Sequence, residues 1–175
     1  SMLPITVFAA GPGDTPVWSE SRSWDPAFVA AANKQLGDDR EPDAEITQAE
    51  MQSLNTLILD SESMNIDGIQ FATGLRVLDI SGHVEGLENL VYCSSLTTLE
   101  ISYDDVITNL NAISLPQSLK TLRINYCSKL TTLNGLDTDS IPSLETFDAS
   151  RNNVLSDISA LQAAKLQNLS SADFE

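Results

Sequence analysis

No run of this sequence approaches the roughly 20 apolar residues that a membrane helix requires. Basic residues are scarce as well. Lys and Arg number 9 against 25 Asp and Glu, a formal net charge of −16. Such a field repels nucleic acid and anionic membrane surfaces; it suits cationic partners, or simply solubility. There is one histidine, His83, so a paired-histidine metal site and an H-x-x-x-H zinc motif are excluded. Neither G-x-G-x-x-G nor G-x-x-x-x-G-K-(S/T) occurs, so no phosphate-cradling loop and no nucleotide cofactor are expected. Aromatics make up 6% of the chain, which leaves few anchors for a hot-spot interface. Its 175 residues suffice for one domain, or one domain with a small attachment.

What the chain does have is leucine at a fixed spacing. The pattern L-x-x-L-x-(L/I/F/A) opens at Leu54, Leu75, Leu96, Leu119 and Leu144, and a degraded sixth copy reads Leu166-Leu169-Ser171. The steps are 21, 21, 23, 25 and 22 residues. A period of 20–29 residues with this spacing is the signature of a leucine-rich repeat. Side chains alternate along a strand, so both leucines of L-x-L point inward. One unit cannot bury them, but a stack builds one continuous core. The expected fold is an α/β solenoid, a right-handed coil with a parallel sheet on its concave face.

Counted from their repeat openings, Cys93 and Cys127 fall on different sides of the coil and two layers apart. That is beyond disulfide reach, so both read as buried free thiols. His83 occupies a turn position, read as far around the coil from Cys127, and a turn role is expected for it. The pairs Asp38-Asp39 and Asp104-Asp105 read as solvated turn carboxylates. For Asp104-Asp105, no D-x-(D/N)-x-(D/N)-G loop supports calcium binding.

Residues 1–22 are rich in Pro, Gly and Ser and read as a linker or the tail of a preceding segment; a strand folded back on the cap is the alternative. Leu3-Pro4-Ile5-Thr6-Val7-Phe8-Ala9-Ala10 is too short and lacks the basic flank of an intact signal peptide. Ser1-Met2 reads as an expression remnant, which would leave natural targeting unread. Over 23–53 the character is helical. Asp25-Pro26 is an N-cap followed by proline at the first helical position, with Phe28, Val29, Ala32 and Leu36 on one face and Gly37 as the stop. Thr47-Gln48-Ala49-Glu50 is a T-x-x-E capping box that opens a second helix through Ser53. Trp18 and Trp24 are placed to cover the first layer.

The run from Trp24 to Gly37, followed by Ile46-Thr47-Gln48-Ala49-Glu50-Met51-Gln52-Ser53-Leu54, resembles the N-terminal cap of internalin-type leucine-rich repeat proteins of bacterial surfaces. The segments 66–75 and 152–161 are similar to that family's convex segments. The resemblance implies a capped solenoid over about 24–170, an extracellular or cell-surface location, and a non-enzymatic role in binding a protein partner or in adhesion. Two departures stand out. Repeats 3 and 4 exceed the family's usual period. The ladder position eight after each opening leucine, ordinarily Asn, holds Glu62, His83, Asp104, Cys127, Asn152 and Phe174, so irregular turns are expected. The chain ends within a sixth repeat over 54–175, and its outer layer is expected to fray or to associate end to end.

Stacked by repeat, the outward strand residues form three rows. The middle row reads Ile58, Asp79, Glu100, Arg123, Asp148 and Ser170; its neighbours are hydroxyl-rich, from Thr56 to Asn168 and from Asp60 to Ala172. Tyr103 and Tyr126 sit just past two strand ends. The candidate binding residues are therefore Asp79, Glu100, Tyr103, Arg123, Tyr126 and Asp148, with a protein as partner and no catalytic, cofactor or metal site. The alternative is a spacer that displays a neighbouring domain, because Thr and Ser rows also suit a solvated, unused sheet.

Overall fold

The computed structural model describes residues 24–162 and 165–175; the expected linker over 1–22, with Trp18, lies outside them. Helix α1 spans Pro26–Leu36. Asp25 starts it: Oδ1 accepts from Ala27 N at 2.9 Å, while Oδ2 accepts from Asn65 N at 3.0 Å and ties the helix to the first repeat. Phe28, Val29 and Ala32 are buried. Asn33 takes the fourth inward position, and Leu36 is left half-buried at the edge of the core. Asn33 tolerates burial because its amide donates to the Pro42 and Ala44 carbonyls, both at 3.0 Å, and its oxygen accepts from Arg40 Nε.

Helix α2 spans Gln48–Ser53 behind a reciprocal capping box. Glu50 N donates to Thr47 Oγ1 at 3.1 Å, and Thr47 N donates to Glu50 Oε2 at 2.7 Å. Arg40 Nη1 pairs with Glu50 Oε1 at 2.6 Å, so the loop between the helices is clasped from both sides. Partial burial works against the Glu50 charge, but the bonds from Arg40 and Thr47 outweigh it and hold the carboxyl below its ordinary range. Trp24 covers the first repeat, edge-on to Phe28 and stacked on Phe71 at 6.0 Å. Gly68 makes room for the indole: at φ +111° a Cβ there would come within 2.5 Å of it.

Six parallel strands follow in sequence order, forming one sheet. They are β1 (Thr56–Asn65), β2 (Val77–Glu85), β3 (Thr98–Ser102), β4 (Thr121–Asn125), β5 (Thr146–Asp148) and β6 (Ser171–Asp173). The register Thr56↔Val77↔Thr98↔Thr121↔Thr146 reproduces the leucine spacing through five repeats. The sixth differs. Thr146 pairs with Ser171 and Asp148 with Asp173, so the last step is 25 residues, and Ser170 and Asn168 leave the rows assigned to them. Leu169, not Leu166, is the opening residue. Phe174 is then an inward position rather than a ladder residue, and its ring lies 5.8 Å from that of Phe147.

Strands β1 and β2 also run on through their turns. Past a register shift between Asp60 and Ser63 they pair again at Ser63↔His83, Met64↔Val84 and Asn65↔Glu85. Gly82 permits the close approach: it has φ +101°, and a Cβ would fall 1.9 Å from the Ser61 carbonyl oxygen. Beyond the sheet, the inward leucines of every repeat join one core that runs from Trp24 to Leu166.

The turn column holds together without an asparagine ladder. Asp104 is fully buried, which corrects its expected role as a solvated carboxylate. Its Oδ1 accepts from Val106 N and Ile107 N at 2.8 and 3.0 Å, and its Oδ2 bonds His83 Nδ1 at 2.9 Å. Cys127 lies on the other side of Asp104, so His83 and Cys127 share a column instead of standing far apart on the coil.

Candidate functional site

The middle row assembles across the sheet as one residue per strand: Asp79↔Glu100↔Arg123↔Asp148. Adjacent strands lie about 4.8 Å apart, so each charge feels the next. Arg123 pairs with Glu100, both more than a third exposed, an interaction worth at most about 1 kcal/mol. Asp79 has a carboxylate neighbour instead. Partial burial, and then the Glu100 charge, raise its carboxyl above the usual range. Asp148 is the opposite case. Burial opposes its charge, yet bonds from Ser150 and from Asn125 Nδ2 (2.8 Å), with Arg123 nearby, hold it low.

Tyr103 and Tyr126 stand beside this row, seven residues after Leu96 and Leu119. Their rings stack at 4.9 Å with 10° between planes, and they are 61% and 49% exposed. Both have left-handed backbones, φ 57° and 56°. The equivalent residues of the flanking repeats, Gly82 and Arg151, also have positive φ, 101° and 63°. The turn demands this conformation, and glycine meets it without strain in repeat 2. Tyrosine there costs roughly 1–2 kcal/mol per residue. Two exposed aromatic rings are thus held where a smaller residue would fold better.

The six candidates therefore lie on one surface, a charged row and an aromatic column side by side. Sequence reasoning missed the remaining members of that column, Gly82 and Arg151, although their seven-residue offset from the opening leucines was there to be read. Ile58 is placed at the head of the row but not among the six candidates; it is 52% exposed.

The turn chemistry does not resemble a nucleophile site. Burial, and secondarily the Asp104 charge, push the Cys127 thiol up to about 11; burial alone pushes Cys93 up to about 12. Both are free and buried. Among the described residues, no group of three or more His, Cys, Asp or Glu is placed to hold a metal ion, and no helix is long and apolar enough to cross a membrane.

No protein family model and no curated protein matches the chain in sequence. Solved structures do match in shape. The secreted internalin-like protein Lmo2445 from Listeria monocytogenes has a TM-score of 0.55 at 16% identity, covering 95% of this chain and 68% of that one. An internalin (inlF) from Listeria monocytogenes has a TM-score of 0.50 at 17% identity, covering 91% of this chain. The chain spans 58% of the inlF structure's length. The fold is an internalin-type leucine-rich repeat. In such a solenoid the parallel strands turn their outward side chains to one face, and the row and the column both lie on it.

Proposed function

We propose that the chain is a non-enzymatic protein-binding module of a bacterial surface or secreted protein, meeting its partner through the concave face at Asp79, Glu100, Tyr103, Arg123, Tyr126 and Asp148. The observation that carries this reading is the pair of stacked, exposed tyrosines in left-handed turns. Strain kept at a surface position, where folding gains nothing from it, favours a role outside folding. Tyrosine is also among the residues that dominate binding energy at interfaces, and a fixed stack loses little entropy on binding. The internalin-type fold supports an interaction role in general.

The spacer reading rests on a different observation. Thr56, Thr98, Thr121 and Thr146 line the row before the charges, half-buried and polar, as on a sheet that only faces water. Photo-cross-linking separates the two. A benzophenone side chain replacing Tyr126 is compared with one replacing Tyr92, a somewhat more exposed tyrosine on the convex 3-10 segment Leu87–Tyr92. A concave binding face predicts saturable capture of one partner from position 126 and none from position 92. A spacer predicts no saturable capture from either.

A further inference from the structure

The aromatic column stops abruptly at repeat 2. Tyr126 covers one face of Tyr103, and the opposite face looks toward Gly82, the next residue of the column, which presents no side chain. An open depression of about 470 Å³ lies there, lined by Gly82, Tyr103, His83, Ser61, Ser81 and the acidic residues Asp60, Glu62 and Asp105. Asp60, Glu62 and Asp105 are exposed, and none of them makes an ion pair among the described residues. The nearest cation of the row, Arg123, is already engaged by Glu100. The notch therefore combines a free π-face with uncompensated negative charge.

From this we infer that the notch receives an arginine side chain of the protein partner. The guanidinium lies flat on the outer face of Tyr103, in the layer where repeat 2 carries only Gly82. Its edge donates to the carboxylates at the rim. A planar, weakly hydrated cation fits both demands at once. A lysine ammonium satisfies the charge but cannot stack, and a neutral sugar satisfies the ring but leaves three carboxylates unpaired. The charge complementarity extends beyond the notch, because a chain of net charge −16 draws basic segments toward it. The inference rests on the concave-face reading above and names the chemistry that the face recognises.

The test titrates the whole chain with a capped peptide of alternating glycine and arginine, and with its lysine counterpart, while amide shifts are followed by NMR. Shifts centred on Gly82, His83 and Tyr103 are expected, with the arginine peptide binding about fivefold more tightly than the lysine peptide. Tyr103→Leu keeps the apolar bulk and removes the π-face, so it should erase that preference; Tyr103→Phe should keep it. Glu62→Gln with Asp105→Asn should weaken both peptides, whereas Asp137→Asn, on the convex side, should weaken neither. Uniform shifts over the acidic surface, or an arginine preference that survives Tyr103→Leu, would overturn the inference. So would a neutral oligosaccharide that shifts the same amides when the arginine peptide does not. If the peptides fail while cross-linking from position 126 succeeds, the arginine notch falls and the concave interface stands.

Discussion

Asn152 donates to the Ile124 and Ala149 carbonyls at 2.6 and 2.7 Å and accepts from Cys127 N at 2.8 Å. Asn152→Ala leaves these buried groups without partners and should cost about 3 kcal/mol in urea unfolding, since each orphaned group costs roughly 1–3. Cys127 beside it and Cys93 on the other side of the coil are both buried with raised thiol values, so Ellman's reagent should find no reactive thiol in the native chain and two after denaturation. Prompt reaction with the native chain would contradict that burial. Ionisation adds a pH signature. Asp79 has a raised folded-state value, so folding favours its protonated form, and that contribution is lost as pH rises through the folded value. Asp79→Asn should therefore raise the melting temperature at pH 7, with the difference closing as pH falls below the ordinary value of 3.8. Glu50 and Asp148 have depressed values and act in the opposite sense, contributing stability that disappears in acid. Little of this was legible beforehand. The rows and columns could be read from the repeat period, but Asp104 looked like any surface carboxylate, because its burial depends on its own turn folding back to donate Val106 N and Ile107 N and on His83 of the preceding layer.

At the scale of elements, the cap was the most legible part, because its signals are local. An N-cap with a first-turn proline and a reciprocal box each act within four residues, and the helices begin and end where they say. Thr47→Ala should cost about 1 kcal/mol of stability. The sixth strand was misread for a reason of the same kind. Leu166 and Leu169 both fit the opening of a repeat, and only pairing with β5 decides between them. Leu166 instead lies in the buried position that Ile141 fills one repeat earlier. The long β1–β2 pair was illegible, since it depends on Gly82 letting two backbones approach, a tertiary event with no periodic mark. The tyrosine turns allow function to be separated from stability. Replacing Tyr103 and Tyr126 by glycine relieves roughly 2–4 kcal/mol of left-handed strain, offset by about 0.5–1.5 kcal/mol for the lost stack and roughly 1–2 kcal/mol for the backbone freedom of two unfolded glycines, so folding stability should stay within about 1 kcal/mol of the parent. Binding should nevertheless be lost.

For the molecule as a whole, one continuous core holds the cap and repeats together, and the sheet turns an acidic, tyrosine-bearing face outward. With a net charge of −16, association with a basic partner should slow steeply as salt rises, because surface fields are screened within about 8 Å at physiological ionic strength. The central claim, that this face is the interface, is tested most directly by the affinity of the partner captured from position 126. It is measured for the parent chain, for Tyr126→Ala and for Tyr92→Ala. The two tyrosines are similarly exposed and differ in the face they occupy. A concave interface predicts a loss of about 2 kcal/mol, some thirtyfold in affinity, for Tyr126→Ala and less than about 0.5 kcal/mol for Tyr92→Ala. Equal losses, or an unchanged affinity for Tyr126→Ala, would contradict it.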